Sequence, residues 1–196
     1  MSVAFYIENS YKVSELITKK YSTSFSLATS VLEKEKRKAI YAIYGFVRLA
    51  DEIVDSLHNY DKSFLLEKLT EDLEYALKYG ISTNLILASF VDTAKKYRIK
   101  KEHIDAFMQS MEYDLTKINY TETSDLNNYI YGSADVVGLM CLTVFCNGNE
   151  ALYNELEHPA QKLGSAFQKV NFIRDLREDT GDLGRNYFPE ISVDKF

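Results

Sequence analysis

Proline is nearly missing from this chain. Of 196 residues only two are proline, none earlier than Pro159, and the eight glycines are scattered and form no loop cluster. No alternating apolar/polar pattern of useful length is present either, so strands have no foothold and the punctuation is that of a helical protein. Cysteine is equally scarce. Cys141 and Cys146 are the only two, and their spacing fits neither a Cys-x-x-Cys motif nor a disulfide framework; a reducing cytoplasm and a place in the core are expected for both. Positive charge is in deficit, with 23 Lys and Arg against 29 Asp and Glu and a net charge of −6. Without a dense basic tract, nucleic acid is not an expected partner. No window approaches about 18 uninterrupted apolar residues, and no basic region leads into an apolar stretch at the N-terminus. The expectation is a cytoplasmic protein, neither secreted nor membrane-spanning, in which the sequon Asn119-Tyr120-Thr121 carries no meaning.

What is present is helical periodicity. Apolar residues recur at helical spacing over about 11–20, 33–57, 62–79, 84–97, 101–117, 124–146 and 159–180, and the length suits one domain with a sizeable core. Short connections such as Asn59-Tyr60-Asp61 and Tyr79-Gly80-Ile81-Ser82 suit antiparallel neighbours. The charged run Glu33-Lys34-Glu35-Lys36-Arg37-Lys38 reads as a solvated helix start.

Two acidic clusters stand out, Asp51-Glu52-Ile53-Val54-Asp55 and Asp175-Leu176-Arg177-Glu178-Asp179. Each sets two aspartates four residues apart, which returns both carboxylates to one helix face. At about 6 Å and an effective dielectric near 20, such a pair repels by roughly 3 kcal/mol. Tyr44, Arg48, Asp51 and Asp55 make one stripe within about 60°, bordering the apolar face of Ile40, Ile43, Val47, Ala50 and Val54. Gln168, Asn171, Asp175 and Asp179 make a second stripe over about 80°. Glu67 and Glu71 serve as a control, being also four apart but with Lys68 beside both and placed to pair with Asp72. At the two aspartate pairs charge accumulates without a lysine. Two such pairs on facing helices would suit a hard divalent cation, Mg²⁺ above all, shared with substrate phosphates.

The residues around the pairs form words. Tyr21-Ser22-Thr23-Ser24-Phe25-Ser26, Arg48 to Asp55, Tyr129-Ile130-Tyr131-Gly132-Ser133-Ala134-Asp135-Val136-Val137-Gly138, Gln168 to Asp179, and Gly184-Arg185-Asn186-Tyr187-Phe188-Pro189 together resemble the squalene/phytoene synthase family, in the family's order. The form of the first cluster looks more like the phytoene synthases.

The resemblance implies an all-α, isoprenoid synthase-type antiparallel helix bundle around a central cavity. It also implies a single domain over residues 1–196, incomplete at its C-terminal side relative to the family. The implied reaction is head-to-head condensation of two geranylgeranyl diphosphates through a cyclopropylcarbinyl diphosphate to phytoene. Diphosphate is released and NADPH is not required. By the same carry-over Asp51, Asp55, Asp175 and Asp179, with Asn171, hold Mg²⁺, for which Mn²⁺ can substitute, and Arg48, Arg174 and Arg185 contact diphosphate. Arg174 projects away from the carboxylate stripe, where a structural salt bridge is the alternative. Ser22 and Ser24 match a flap that closes on substrate, against helix capping or turn formation. Phe25, Tyr44, Tyr129 and Tyr187 line the cavity with Val137 and Gln168, against plain core packing. Gly132, Ala134 and Gly138 remove bulk, either for a prenyl tail or for a neighbouring helix. Ser133 and Asp135 depart from the family's small apolar residues, which leaves tail length open between C15 and C20. A squalene or dehydrosqualene synthase acting on farnesyl diphosphate and a non-catalytic helical homologue are the rivals. A di-iron bundle would need two Glu-x-x-His motifs, and only Glu155-Leu156-Glu157-His158, read as ending at Pro159, is present. A hydrocarbon product makes peripheral contact with the inner membrane face an expectation, and no oligomeric state is implied.

Overall fold

A computed structural model describes residues 2–116 and 123–174. In chain order the elements are α1 (Val3–Tyr21), α2 (Thr23–Ser30), α3 (Lys34–Asp55), α4 (Lys62–Tyr79), α5 (Leu85–Tyr97), α6 (Lys101–Thr116), α7 (Thr123–Ile130), a π-helical segment (Tyr131–Asp135), α8 (Val136–Cys146) and α9 (Glu150–Arg174). Among the described residues there is no strand, and the all-α expectation holds.

Local chemistry sets the boundaries. Ser2, Asp61 and Asn84 cap α1, α4 and α5, each side-chain oxygen accepting from backbone N–H groups of the first turn, which satisfies donors a helix start leaves free. The α4 stop is Gly80 at φ 75°, a left-handed conformation that costs glycine nothing. Helix α3 is the hub. Its buried face, Ile43, Phe46, Ala50 and Val54, meets Leu66, Leu69 and Leu73 of α4, Phe90 of α5, Phe107 and Met111 of α6, and Val136 and Met140 of α8 in one core. Phe46 stacks on Phe90 at 4.0 Å between ring centroids and meets Phe107 edge-on at 5.3 Å; truncating such a ring costs about 3–5 kcal/mol. Cys146 is buried and Cys141 half-buried, both as free thiols; burial pushes Cys141 up to about 12.

Several expectations are corrected. The first helix begins at Val3, and α2 is a separate eight-residue helix too short to show periodicity. The stretch expected as one helix over 124–146 is interrupted by five π-helical residues. Helix α9 starts at Glu150 and carries Pro159 within it, so Glu155 to His158 does not end there. Proline forfeits one i→i−4 bond, and because Pro159 is exposed, water can satisfy the freed carbonyl. The charged run at 33–38 is more than a solvated start: Lys38 pairs with Glu8 at 2.6 Å and Glu35 with Lys96 at 2.6 Å, tying α3 to α1 and α5. By length and composition Ser124–Cys146 could cross a membrane, but 56% of that window is buried in the bundle, as a core helix would be.

Candidate active site

The last three turns of α3 bring Tyr44, Arg48, Asp51 and Asp55 to one edge of the core, all four half-buried. Facing them is the junction of α1 and α2. The Ser22 hydroxyl caps α2 by accepting from Phe25 N at 3.3 Å, so capping, one of the two readings of this serine, is what the geometry displays; the same side chain stands beside Tyr44. Phe25 stacks on the Tyr44 ring at 5.0 Å. Ser24 lies exposed on α2. The Arg48 guanidinium donates to Glu52 Oε2 at 2.5 Å and lies 4.5 Å from the centroid of the Tyr21 ring.

Electrostatics single out Asp51. Burial, then the neighbouring Asp55 carboxylate, push its pKa from 3.8 up to about 7; Arg48 opposes the shift, while Asp114 and Glu52 add to it. Desolvation and like charge both disfavour ionisation, so the metal-free site keeps a proton near neutrality. Asp114, at the end of α6, was not among the expected site residues. Its signal was there to read: Phe107 and Met111 are buried and Asp114 continues their i, i+4, i+7 stripe, a carboxylate where the apolar pattern asks for a hydrophobe. Glu52 and Tyr21 were missed as well, because neither belongs to the carboxylate stripe.

The second stripe is described only in part. Gln168 and Asn171 are half-buried on α9, with Asn171 Nδ2 donating to Gln168 Oε1 at 3.3 Å. Arg174 is exposed at the end of that helix. Asp175, Asp179, Arg185 and Tyr187 lie outside the described residues. Helix α9 packs on α8, the π-helical segment and α7 rather than on α3, so the described residues do not join the two stripes. Tyr129 is buried, its ring 6.2 Å from that of Phe172, and Val137 is half-buried against the main core. A Cβ on Gly132 would stand 2.7 Å from Ala106 O and 2.9 Å from Ser110 Cβ, so this glycine serves close helix approach. Asp135 is buried and accepts from Ser165 Oγ at 2.8 Å.

Among the described residues no three His, Cys, Asp or Glu side chains gather closely enough to hold a metal ion by themselves. Mg²⁺ does not require that; it commonly keeps several waters and takes one or two carboxylates plus phosphate oxygens. The oxygen-only pair Asp51 and Asp55 fits such an ion. A cavity of about 300 Å³ lies elsewhere, lined by Tyr97, Arg98, Lys100, Asn149 and Tyr153 among others. It sits at the start of α6, and at about 1.5 Å per residue that is roughly 20 Å from Asp114 at the other end of the same helix.

Residues 18–196 match the family described as squalene/phytoene synthase. The 4,4'-diapophytoene synthase of Staphylococcus haemolyticus (strain JCSC1435) is 27% identical over 97% of this chain and 66% of its own length. Phytoene synthase 1, chloroplastic, of Zea mays is 32% identical over 89% of this chain and 43% of its own. A dehydrosqualene synthase crystallised with a ligand superposes with a TM-score of 0.80 at 28% identity, covering 92% of this chain and 61% of that one. The chain thus spans about two thirds or less of the length of these proteins.

Proposed function

The chain belongs to the squalene/phytoene synthase family, and from that premise we propose that it joins two prenyl diphosphates head to head. The proposed substrate is geranylgeranyl diphosphate and the product phytoene, with diphosphate released and no NADPH consumed. The observation that carries this reading is the gathering of half-buried Asp51 and Asp55 with Arg48 and the stacked Phe25 and Tyr44 rings at one edge of the core, where burial, Asp55 and Asp114 push Asp51 up. Carboxylates crowded beside an arginine at the edge of a core weaken the fold unless a cation arrives to neutralise them.

Asp51 and Asp55 would hold Mg²⁺ from one side, and Asp175, Asp179 and Asn171 from the other; Mn²⁺ would serve in its place. The ion supplies Lewis-acid neutralisation of the charge that grows on a departing diphosphate. The chain's own groups do the rest. Arg48 offers a planar fork to phosphate oxygens, with Arg174 and Arg185 as further contacts. The stacked Phe25 and Tyr44 rings border the aspartate stripe, and an aromatic face stabilises a passing cation by roughly 0.5–2 kcal/mol. Ser22 stands beside Tyr44, and Phe25 stacked on the ring fixes its direction. Tyr129, Val137, Gln168 and Tyr187 would line the tail, and Ser24 would belong to the closing flap. A cytoplasmic enzyme in peripheral contact with a membrane suits a hydrocarbon product.

A second reading, condensation of farnesyl diphosphate to a C30 product, is favoured by the alignment of 97% of this chain with the diapophytoene synthase and by the likeness to the dehydrosqualene synthase structure. Radiolabelled geranylgeranyl and farnesyl diphosphate, each with Mg²⁺ or EDTA, followed by hydrocarbon extraction, test both. A Mg²⁺-dependent C40 product supports the first reading and a C30 product the second. Failure of both substrates to give product, with no Mg²⁺-dependent binding, overturns the enzymatic reading in favour of a non-catalytic homologue.

A further inference from the structure

Glu52 stands between the two aspartates of α3, yet its side chain turns back one helical turn to accept from Arg48 Nη2 at 2.5 Å. The guanidinium also lies over the Tyr21 ring, 4.5 Å from its centroid. Burial opposes ionisation of Glu52, but Ser56, Arg48 and Tyr21 beside its carboxylate lower its pKa overall. The cation is therefore held by the end of α1 and by α3 itself. One donor is left over: Arg48 Nε is buried and has no hydrogen-bond partner. An ordinary surface pair four residues apart needs none of this. It leaves both side chains free to move and no donor stranded, whereas here both side chains are only 28% exposed.

An arginine that must find a phosphate from many rotamers loses that freedom on binding, and one already held does not. A buried N–H without an acceptor is moreover a standing cost that a ligand oxygen removes. We propose that Glu52 is a positioning residue: together with Tyr21 it fixes the Arg48 guanidinium so that its unused N–H groups, the buried Nε–H among them, meet a diphosphate oxygen. The inference rests on the prenyl diphosphate reading and deepens it. It runs against simple charge counting, by which removing an acid beside an anion site strengthens binding.

The probe is inorganic pyrophosphate with Mg²⁺, followed by titration calorimetry on the parent chain and on Glu52→Gln, Arg48→Ala and the double variant, with circular dichroism to confirm folding. Glu52→Gln is expected to weaken binding about tenfold, the scale of one charge-assisted bond, and the double variant to bind no worse than Arg48→Ala alone, because Glu52 acts only through Arg48. Tyr21→Phe, which keeps the ring and removes the hydroxyl that helps lower the Glu52 pKa, is expected to lose about threefold and covers the case in which Glu52→Gln fails to fold. Unchanged or tighter binding by Glu52→Gln, or losses that multiply in the double variant, overturns the proposal while leaving the site intact. Absence of pyrophosphate binding in the parent chain sinks the diphosphate reading and the proposal with it.

Discussion

Two pairs of acids share one spacing and little else. On α4, Glu67 and Glu71 are exposed, and Lys68, equally exposed, forms a close ion pair with Glu71. On α3, Asp51 and Asp55 are half-buried, and Asp51 is pushed up to about 7 by burial and by its partner. Spacing tells which way two carboxylates point; what they point at decides whether the pair is harmless or strained. The first pair faces water, where repulsion is screened within about 10 Å. The second faces the edge of a packed core with Asp114 across from it.

The largest way to break the comparison is catalytic. Asp51→Asn is expected to lower Mg²⁺-dependent product formation by about a thousandfold or more, the scale at which preorganised electrostatic groups act, with helicity unchanged. Glu67→Gln, at the matching place in the control pair, is expected to stay within about twofold. Equal effects of the two substitutions on labelled product would end the claim that the α3 pair is special.

Next in size is a stability effect of opposite sign. Because Asp51 has a folded pKa near 7 against 3.8 unperturbed, its contribution to stability is complete below about pH 4 and is lost as pH rises through 7. At pH 8 without metal its ionised form costs about 2 kcal/mol after allowance for partial exposure. Asp51→Asn is therefore expected to raise the metal-free melting temperature at pH 8 by about 5 °C, and to change it little at pH 4. The same variant would thus be inactive and more stable. A fall in Tm at pH 8 would show that the carboxylate is not strained.

The α3 stripe was legible because helical projection is local: Tyr44, Arg48, Asp51 and Asp55 needed only one helix to share a face, and Ile43, Phe46 and Val54 showed which side was core. Asp114 was not, because its approach to Asp51 depends on how α6 crosses α3, about 60 residues apart in sequence. Pro159 misled for a different reason. Proline ends a helix by default, and only the exposed position of this one makes its missing bond tolerable. The π-helical segment escaped because it spans only five residues and the stretch after it, Val136 to Cys146, is apolar on nearly every side, so no face was there to show the shift in register. Gly132 had two readings, and the 2.7 Å approach of Ala106 O selects helix packing. For the second stripe the words extend further along the chain than the described residues do.

A smaller effect separates Asp114 from its neighbours. Metal binding must displace the proton that Asp51 keeps, so Mg²⁺ affinity is expected to rise with pH through about 7. Asp114 ranks below burial and Asp55 among the causes of that shift. Asp114→Asn is therefore expected to move the midpoint down by less than about one pH unit. Calorimetry in buffers of different ionisation enthalpy would register the released proton. A midpoint that does not move would remove Asp114 from the site.

The smallest expected effect belongs to the control. Lys68→Ala removes a cation that pairs with Glu71, and if spacing alone created strain, Glu67 and Glu71 should then behave as Asp51 and Asp55 do. They should not. Exposed pairs contribute between about 0 and 1 kcal/mol, water remains on both carboxylates, and the expected fall in Tm is below about 2 °C with no new dependence on pH near 7. A fall matching the gain in Asp51→Asn, or a new titration near neutrality, would mean that repulsion between acids four apart suffices by itself. Burial at α3 would then lose its place as the cause.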